Sequence, residues 1–303
     1  MSGVYVHTFA PMGTVVTIQV VGRSYDDASR AHTEACVARA AGWFETVENC
    51  CSRFDPASEL RQLTGKVGVP VHVTPMLCEA LKFALAVARE SDGAFDPTVG
   101  LRMEALGFNR HHLTGEAVSS PDAGGAGASW RDVLLDAEAQ TVTLLAPVVL
   151  DLGAVAKGLA VDLAARELEP LENFAVDAGG DLYLGGHNAD GNPWAVGIRH
   201  PRDQRLVETL HVSNTAVCTS GDYERRSAIE TGAHHIVDAR TGGSAVELAS
   251  VTVVAPSAMV ADALATAAFA LGPAEGVPFL ERHGVQGLLL TASLERFETA
   301  ART

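Results

Sequence analysis

The segment Met259-Val260-Ala261-Asp262-Ala263-Leu264-Ala265-Thr266-Ala267-Ala268-Phe269-Ala270-Leu271 constrains the fold more than any other part of the chain. It reads as a helix that is apolar all round, a pattern found where other elements cover a helix on every side. The chain must therefore build layers around it. Only Asp262 and Thr266 interrupt the apolar surface, and their i,i+4 spacing puts them on one face. A carboxylate buried alone is costly unless it is paired or bound to a metal. Carboxylate and hydroxyl oxygens together form a hard-oxygen pair suited to Mg²⁺, which usually keeps water and phosphate oxygens as its other ligands. In the competing reading Asp262 lies at the helix N-terminus as a cap, and Thr266 bonds its own backbone. The residues alone leave both open.

Composition narrows the partners. The 303 residues suffice for a full core, as a single domain over residues 1–303 or as two interlocked subdomains. Acidic side chains outnumber basic ones 37 to 22, a net charge of −15 that argues against nucleic acid and anionic lipid as partners. No apolar run approaches the ~18 residues of a membrane span, so membrane insertion is not expected. The start, Met1-Ser2-Gly3-Val4-Tyr5-Val6-His7, shows no basic region, apolar stretch or cleavage site, which points to a cytoplasmic protein. Cys36, Cys50, Cys51, Cys78 and Cys218 show no C-x-x-C spacing and read as buried thiols.

Periodicity predicts strands at His7–Phe9 and Val15–Val21, then a long helix from about Tyr25 to Cys51 with Cys36, Ala40, Trp43, Phe44 and Val47 on its apolar face. Thr74 as cap and Pro75 at the first position open a second helix, which stops at Ser91-Asp92-Gly93. Residues 119–129 are rich in Gly, Ala and Ser and read as a flexible loop. A hairpin at Val133–Leu135 and Thr141–Leu145 follows, then a helix over Lys157–Leu168. Short strands come next at Phe174–Val176, Leu182–Leu184, Ala195–Ile198, Leu206–Val212, Val251–Val254 and Leu288–Thr291. Without a regular β-α-β rhythm the fold class is α+β, with mixed, largely antiparallel sheets packed against helices.

Several further segments carry candidate chemistry. Asp151 and Lys157 flank Leu152-Gly153-Ala154-Val155-Ala156, small residues that let a backbone approach a ligand, or else form a turn with a surface ion pair. Asp177-Ala178-Gly179-Gly180-Asp181 permits positive φ and close approach, but no G-x-G-x-x-G or Walker A pattern is present. Cys218-Thr219-Ser220-Gly221-Asp222-Tyr223 is compatible with phosphate contacts through backbone N–H groups. His234-His235-Ile236-Val237-Asp238 offers a general base; read as a strand, it turns only one of the two imidazoles toward a given site.

In order, the chain shows Met12-Gly13-Thr14; Cys51-Ser52-Arg53-Phe54 with Ser58-Glu59-Leu60; Gly93-Ala94-Phe95-Asp96-Pro97-Thr98; and Asp151 to Gly158 with Asp162. Gly179-Gly180-Asp181, Thr219-Ser220-Gly221-Asp222-Tyr223, His234-His235-Ile236 and Ala261-Asp262-Ala263-Leu264-Ala265-Thr266 follow. Each motif is weak alone. The ordered set, from about Thr8 to Gly272, resembles the ApbE family, the FAD:protein FMN transferases.

The resemblance implies an ApbE-like (T-fold-like) architecture that binds FAD and Mg²⁺. It implies transfer of FMN from FAD to a threonine or serine hydroxyl of an acceptor protein, with release of AMP. Some members act instead as FAD pyrophosphatases, giving FMN and AMP. A non-catalytic FAD-binding protein is a third reading, against which the joint presence of Asp262, Thr266 and His235 speaks. Residue by residue, the resemblance puts Met12 and Phe54 against the flavin or adenine rings. It lines the FAD site with Ala94, Phe95, Asp96, Asp151, Lys157 and Ile236, Lys157 adding positive charge near the phosphates. The Mg²⁺ ligands implied are the backbone oxygen of Ala154 and the side chains of Asp262 and Thr266. His235 is the implied base for the attacking hydroxyl, acting with Asp262. The family often has Asp-Pro after the histidine segment, whereas here Ala239 follows Asp238.

Overall fold

An eight-stranded antiparallel sheet supplies the layer that the all-apolar helix requires. Its strands lie in the order Gly3–Phe9, Val16–Gly22, Phe174–Ala178, Leu182–Gly185, Thr215–Gly221, Leu248–Ala255, Gln286–Thr291 and Arg296–Glu298. The computed structural model describes residues 3–22, 27–120 and 127–300. Among these, the α-helices are α1 (Asp27–Cys51), α2 (Glu59–Leu63), α3 (Pro75–Glu90), α4 (Gly100–Ala105), α5 (Gly153–Leu168) and α6 (Ala258–His283). The α+β expectation holds.

α6 lies on the strands Thr215–Gly221, Leu248–Ala255 and Gln286–Thr291, α5 crosses it, and α1 packs on α5. A hairpin of Trp194–Arg199 and Leu206–Val212 packs Trp194, Val196 and Leu210 against Ala175, Leu184 and Val217 of the sheet. With cover on both faces, Leu248–Ala255 is buried nearly throughout instead of alternating. The same holds for Thr215–Gly221, which corrects the phosphate-loop reading of Cys218–Tyr223. Residues Ala216 to Gly221 pair in register with Ala255 to Ser250, so they form a central ladder.

Local chemistry explains the helix starts. The Thr74 hydroxyl accepts the N–H of Leu77 with Pro75 at the first position, as expected for α3. α5 begins a turn earlier than Lys157, because the Asp151 side chain accepts the Gly153 N–H at 2.7 Å. At the start of α6, Ser257 accepts the Val260 N–H, and Asp162 of α5 accepts those of Ala258 and Met259 at 2.7 and 2.9 Å. The cap reading of Asp262 is therefore excluded, since it sits beyond a start that is already satisfied.

α6 also runs past Leu271. Gly272 bends it at φ +75°, Pro273 follows, and the helix resumes to His283, where Gly284 at φ +70° closes it. By length and composition it passes for a membrane span, contrary to the expectation that no run comes close. It is a core helix, with 61% of its most apolar window buried inside the protein. The ends of the expected loop 119–129 are tied down: the Ser120 N–H and hydroxyl donate to Glu104, and Ser129 caps a short 3₁₀ turn, Trp130–Asp132. Residues 121–126 lie outside the described residues.

Gly158 sets the distance between α5 and α6: a Cβ there would meet the Ala258 carbonyl oxygen at 2.5 Å and the Met259 Cα at 2.6 Å. Gly158→Ala should therefore destabilise by about 1–3 kcal/mol, the overpacking range. Gly42 of α1 has nothing within 4 Å of a built Cβ. Gly42→Ala should stabilise by roughly 0.5–1 kcal/mol, because only the helix propensity changes. Opposite shifts in denaturant midpoint check the pair.

Candidate functional site

Asp262 emerges on α6 at the α5 crossing, buried, and its carboxylate accepts the N–H of Gly158. In a regular helix that N–H serves the carbonyl four residues back, here Ala154, so Asp262 competes for the donor of the Ala154 oxygen. The Asp262 Oδ2 atom has no hydrogen-bond partner among the described residues. One turn on, the Thr266 hydroxyl meets that of Ser220 at 3.0 Å instead of bonding its own backbone. Carbonyl, carboxylate and hydroxyl oxygens with an orphaned carboxylate oxygen among them fit a hard divalent cation.

The charges point the same way. Lys157 forms an ion pair with the buried Asp181. Burial works against the Lys157 ammonium, but Asp181 and Asp262 outweigh it and hold it charged. Burial first, then the Asp181 charge, raises the Asp262 carboxyl from its ordinary 3.8 to about 7, with Lys157 opposing. Two carboxylates share one ammonium, and the excess calls for a proton or a cation.

On the other side of α5, Asp151 receives Nε of the buried Arg53 at 2.5 Å, and its N–H donates to the Pro97 carbonyl at 2.7 Å. The surface ion pair between Asp151 and Lys157 does not form, as each has a partner of its own. Arg53 also donates through Nη2 to the Phe108 carbonyl, and its guanidinium lies 4.1 Å from the centre of the Phe54 ring. Asp96 accepts the Thr98 N–H and hydroxyl on one oxygen and the Trp130 N–H on the other. Burial raises its pKa against those bonds. Its oxygens thus hold the loop that carries it. The side chains of Ala94, Phe95 and Ile236 are buried, leaving mainly their backbone to a ligand. Met12 turns between the first two strands at φ +52°, its N–H held by Glu48 of α1 at 3.1 Å.

The two histidines separate as expected, though in a loop, the strand beginning only at Val237. Nε2 of His234 faces the Ala245 carbonyl at 2.8 Å, while Nδ1 accepts the Ile236 N–H. Both ring nitrogens are engaged, and the imidazole stands edge-on to Phe269, which makes it structural. His235 is half-buried, with Nδ1 3.3 Å from the Arg225 carbonyl and its ring 6.3 Å from that of Phe108. Ala239 donates to the Ala94 carbonyl at 3.2 Å, tying the histidine loop to the Ala94–Asp96 segment.

Of the expected residues, Phe54, Asp151, Ala94–Asp96 and His235 thus form a connected chain: Phe54 and Arg53 to Asp151, Asp151 to Pro97, Ala94 to Ala239, and His235 through Phe108 back to Arg53, while Lys157, Asp262 and Thr266 gather at the α5–α6 crossing. Gly179 and Gly180, at φ +68° and +99°, serve a turn in which Thr14 packs where a Cβ would stand. Sequence reasoning missed the roles of Arg53 and Trp130. Among the described residues, Arg53 Nη1, Trp130 Nε1, Ser213 Oγ and Asp262 Oδ2 are the buried side-chain atoms without a partner, and only Ser213 lies outside the segments named here.

Known proteins resemble this chain in sequence and fold. The model of the ApbE family matches residues 12–289. The FAD:protein FMN transferase of Treponema pallidum is 33% identical, covering 92% of this chain and 82% of that protein. That of Haemophilus influenzae is 31% identical, covering 82% and 76%. The crystal structure of the ApbE protein from Thermotoga maritima aligns with a TM-score of 0.84 at 30% identity, over 98% of this chain and 97% of that one. The flavin transferase ApbE from Vibrio cholerae aligns at 0.83 and 25%, over 99% and 98%.

Because the fold raises the Asp262 carboxyl to about 7, ionising it disfavours the folded state. That penalty is full above the folded pKa and fades as pH falls toward the ordinary carboxylate value. Metal-free protein should therefore melt at a lower temperature at about pH 8 than at about pH 6, and Asp262→Asn should flatten this slope in a calorimetric series. An unchanged slope would refute the burial assignment.

Proposed function

The chain belongs to the ApbE family, and we propose that it transfers the FMN half of FAD to a threonine or serine hydroxyl of an acceptor protein, releasing AMP. The observation that carries this reading is the pairing of an orphaned buried carboxylate oxygen, on Asp262, with a neutral imidazole, on His235, both within reach of the Lys157 and Arg225 charges. One half suits a cation that holds a pyrophosphate, the other a hydroxyl that must lose a proton.

His235 fits the base role through its tautomer. A carbonyl oxygen only accepts, so the Nδ1 facing the Arg225 carbonyl carries the proton and Nε2 keeps its lone pair. Burial first, then the Arg225 charge, lowers the imidazole to about 3, so it is neutral throughout the physiological range. Such a base is weak until a substrate arrives. Phosphate anions beside it favour the imidazolium and raise its proton affinity as the hydroxyl attacks and gives up its proton. Asp151 and Arg53 hold the two segments that flank the substrate, and Lys157 pairs with Asp181 beside them.

Mg²⁺ bound by the Ala154 carbonyl, Asp262 and Thr266 would supply charge neutralisation at the pyrophosphate. The acidic chain has few other means of receiving a dinucleotide with two negative phosphates.

The test is incubation with FAD and Mg²⁺, with and without a protein domain bearing a threonine acceptor. AMP released only with acceptor, and flavin fluorescence on the acceptor band in a denaturing gel, is the expected result. Release without acceptor would instead mark a pyrophosphatase, and no release a flavin carrier. His235→Gln should lower turnover by roughly 10²–10⁴-fold while FAD binding persists. Asp262→Ala should abolish the Mg²⁺-dependent rate in a protein that still melts cooperatively; retained wild-type activity would remove Asp262 from the metal site.

A further inference from the structure

We propose that Nη1 of Arg53 is a substrate-binding donor, one that takes a neutral acceptor (a carbonyl oxygen or a ring nitrogen) on one of the two heteroaromatic rings of FAD. The assignment rests on the FAD reading above and adds to it a residue and an atom.

The geometry begins with burial. The Arg53 side chain is 5% exposed, yet only two corners of its fork are engaged. Nε donates to Asp151 Oδ2 at 2.5 Å and Nη2 to the Phe108 carbonyl, while Nη1 is buried with no partner. With two corners pinned, the planar fork cannot turn to satisfy the third without breaking the Asp151 pair. A charged donor left unpaired away from water is among the costlier features a fold can hold, and one that a ligand acceptor removes.

The surroundings select the kind of acceptor. Asp151 already balances the guanidinium charge, and its second oxygen is occupied by the Gly153 N–H at 2.7 Å. A further anion at Nη1 would lie in the field of that carboxylate, whereas a neutral carbonyl or aromatic nitrogen would not. The guanidinium carbon lies over the half-buried Phe54 ring, 4.1 Å from its centre, so an aromatic face already borders the donor. A planar heterocycle edge-on to Nη1 extends that face. Nη2 holds the carbonyl of Phe108, whose ring stands 6.3 Å from that of His235, and Nε holds Asp151 just ahead of α5, so the guanidinium is tied to both. Both halves of FAD present suitable edges: the pyrimidine carbonyls of the flavin and the ring nitrogens of adenine.

FMN and AMP used as separate probes distinguish the two. Their affinities would be measured with Mg²⁺ present, by flavin fluorescence for FMN and by calorimetry for AMP, on wild-type protein and on Arg53→Lys. Lysine keeps a charge for Asp151 but has no third corner. The expected result is a loss of roughly 10-fold or more for one probe and a change within about 2-fold for the other, the size expected of a hydrogen bond to a charged group. The probe that weakens names the ring. A folded variant that binds both probes as wild type does, or loses both equally, overturns the assignment alone. Wild-type protein that binds neither overturns the FAD reading and this assignment with it. Should the variant fail to melt cooperatively, arginine-selective ¹⁵N spectra of the wild-type protein decide. The guanidinium signal in contact with the Phe54 ring must shift with FMN or with AMP, and a signal that moves with neither overturns the proposal.

Discussion

The crossing of α5 over the first turn of α6 is the contact from which the candidate site is built. Gly158 has no side chain, so α6 settles against the α5 backbone, and the Gly158 N–H reaches the Asp262 carboxylate. One turn along α5, Asp162 accepts the first two N–H groups of α6. One helix thereby caps the other, aligns it, and lends it a donor. The eight-stranded sheet holds both in place, but it is this crossing that fixes where Asp262 and Thr266 stand relative to Lys157 and Ala154.

Charge follows from that placement. A chain with a net charge of −15 has to receive a doubly negative substrate, yet two of the basic groups near the chemistry are already matched, Lys157 with Asp181 and Arg53 with Asp151, while Arg225 lends its charge beside His235. What the interior leaves over is a surplus carboxylate at Asp262 and two unused donors, on Arg53 and Trp130. The protein offers a cation-binding corner and hydrogen-bond donors whose charge, in the case of Arg53, is already balanced.

The reach of the sequence divided along physical lines. Asp262 and Thr266 were legible because an otherwise apolar helix makes each polar residue conspicuous, and the α3 start because Thr74-Pro75 is a local signal needing no tertiary partner. Thr215–Gly221 was not legible as a strand: Thr, Ser and Gly suit loops, and only cover on both faces makes this one a central strand. The first turn of α5 escaped because Gly153 and Ala154 read as a turn until Asp151 supplies the missing acceptor. The continuation of α6 beyond Gly272 and Pro273 is a tertiary outcome that overrides local propensity. Arg53 escaped for another reason. Arginine is seldom buried, and nothing in Cys51-Ser52-Arg53-Phe54 says that Asp151, almost a hundred residues on, will neutralise it.

Ala239 carries a consequence for how the site opens. Its N–H ties the histidine loop to Ala94 with a hydrogen that a proline at this position would lack. A proline stiffens a loop by narrowing its unfolded alternatives, whereas a hydrogen bond stiffens it only while the bond is made. The loop bearing His235 is therefore latched by a contact that can be broken and remade on the timescale of local fluctuation, without peptide isomerisation. Whatever must come close to the imidazole meets a wall that this bond ties to Ala94, while His234 and His235 anchor it to Ala245 and Arg225.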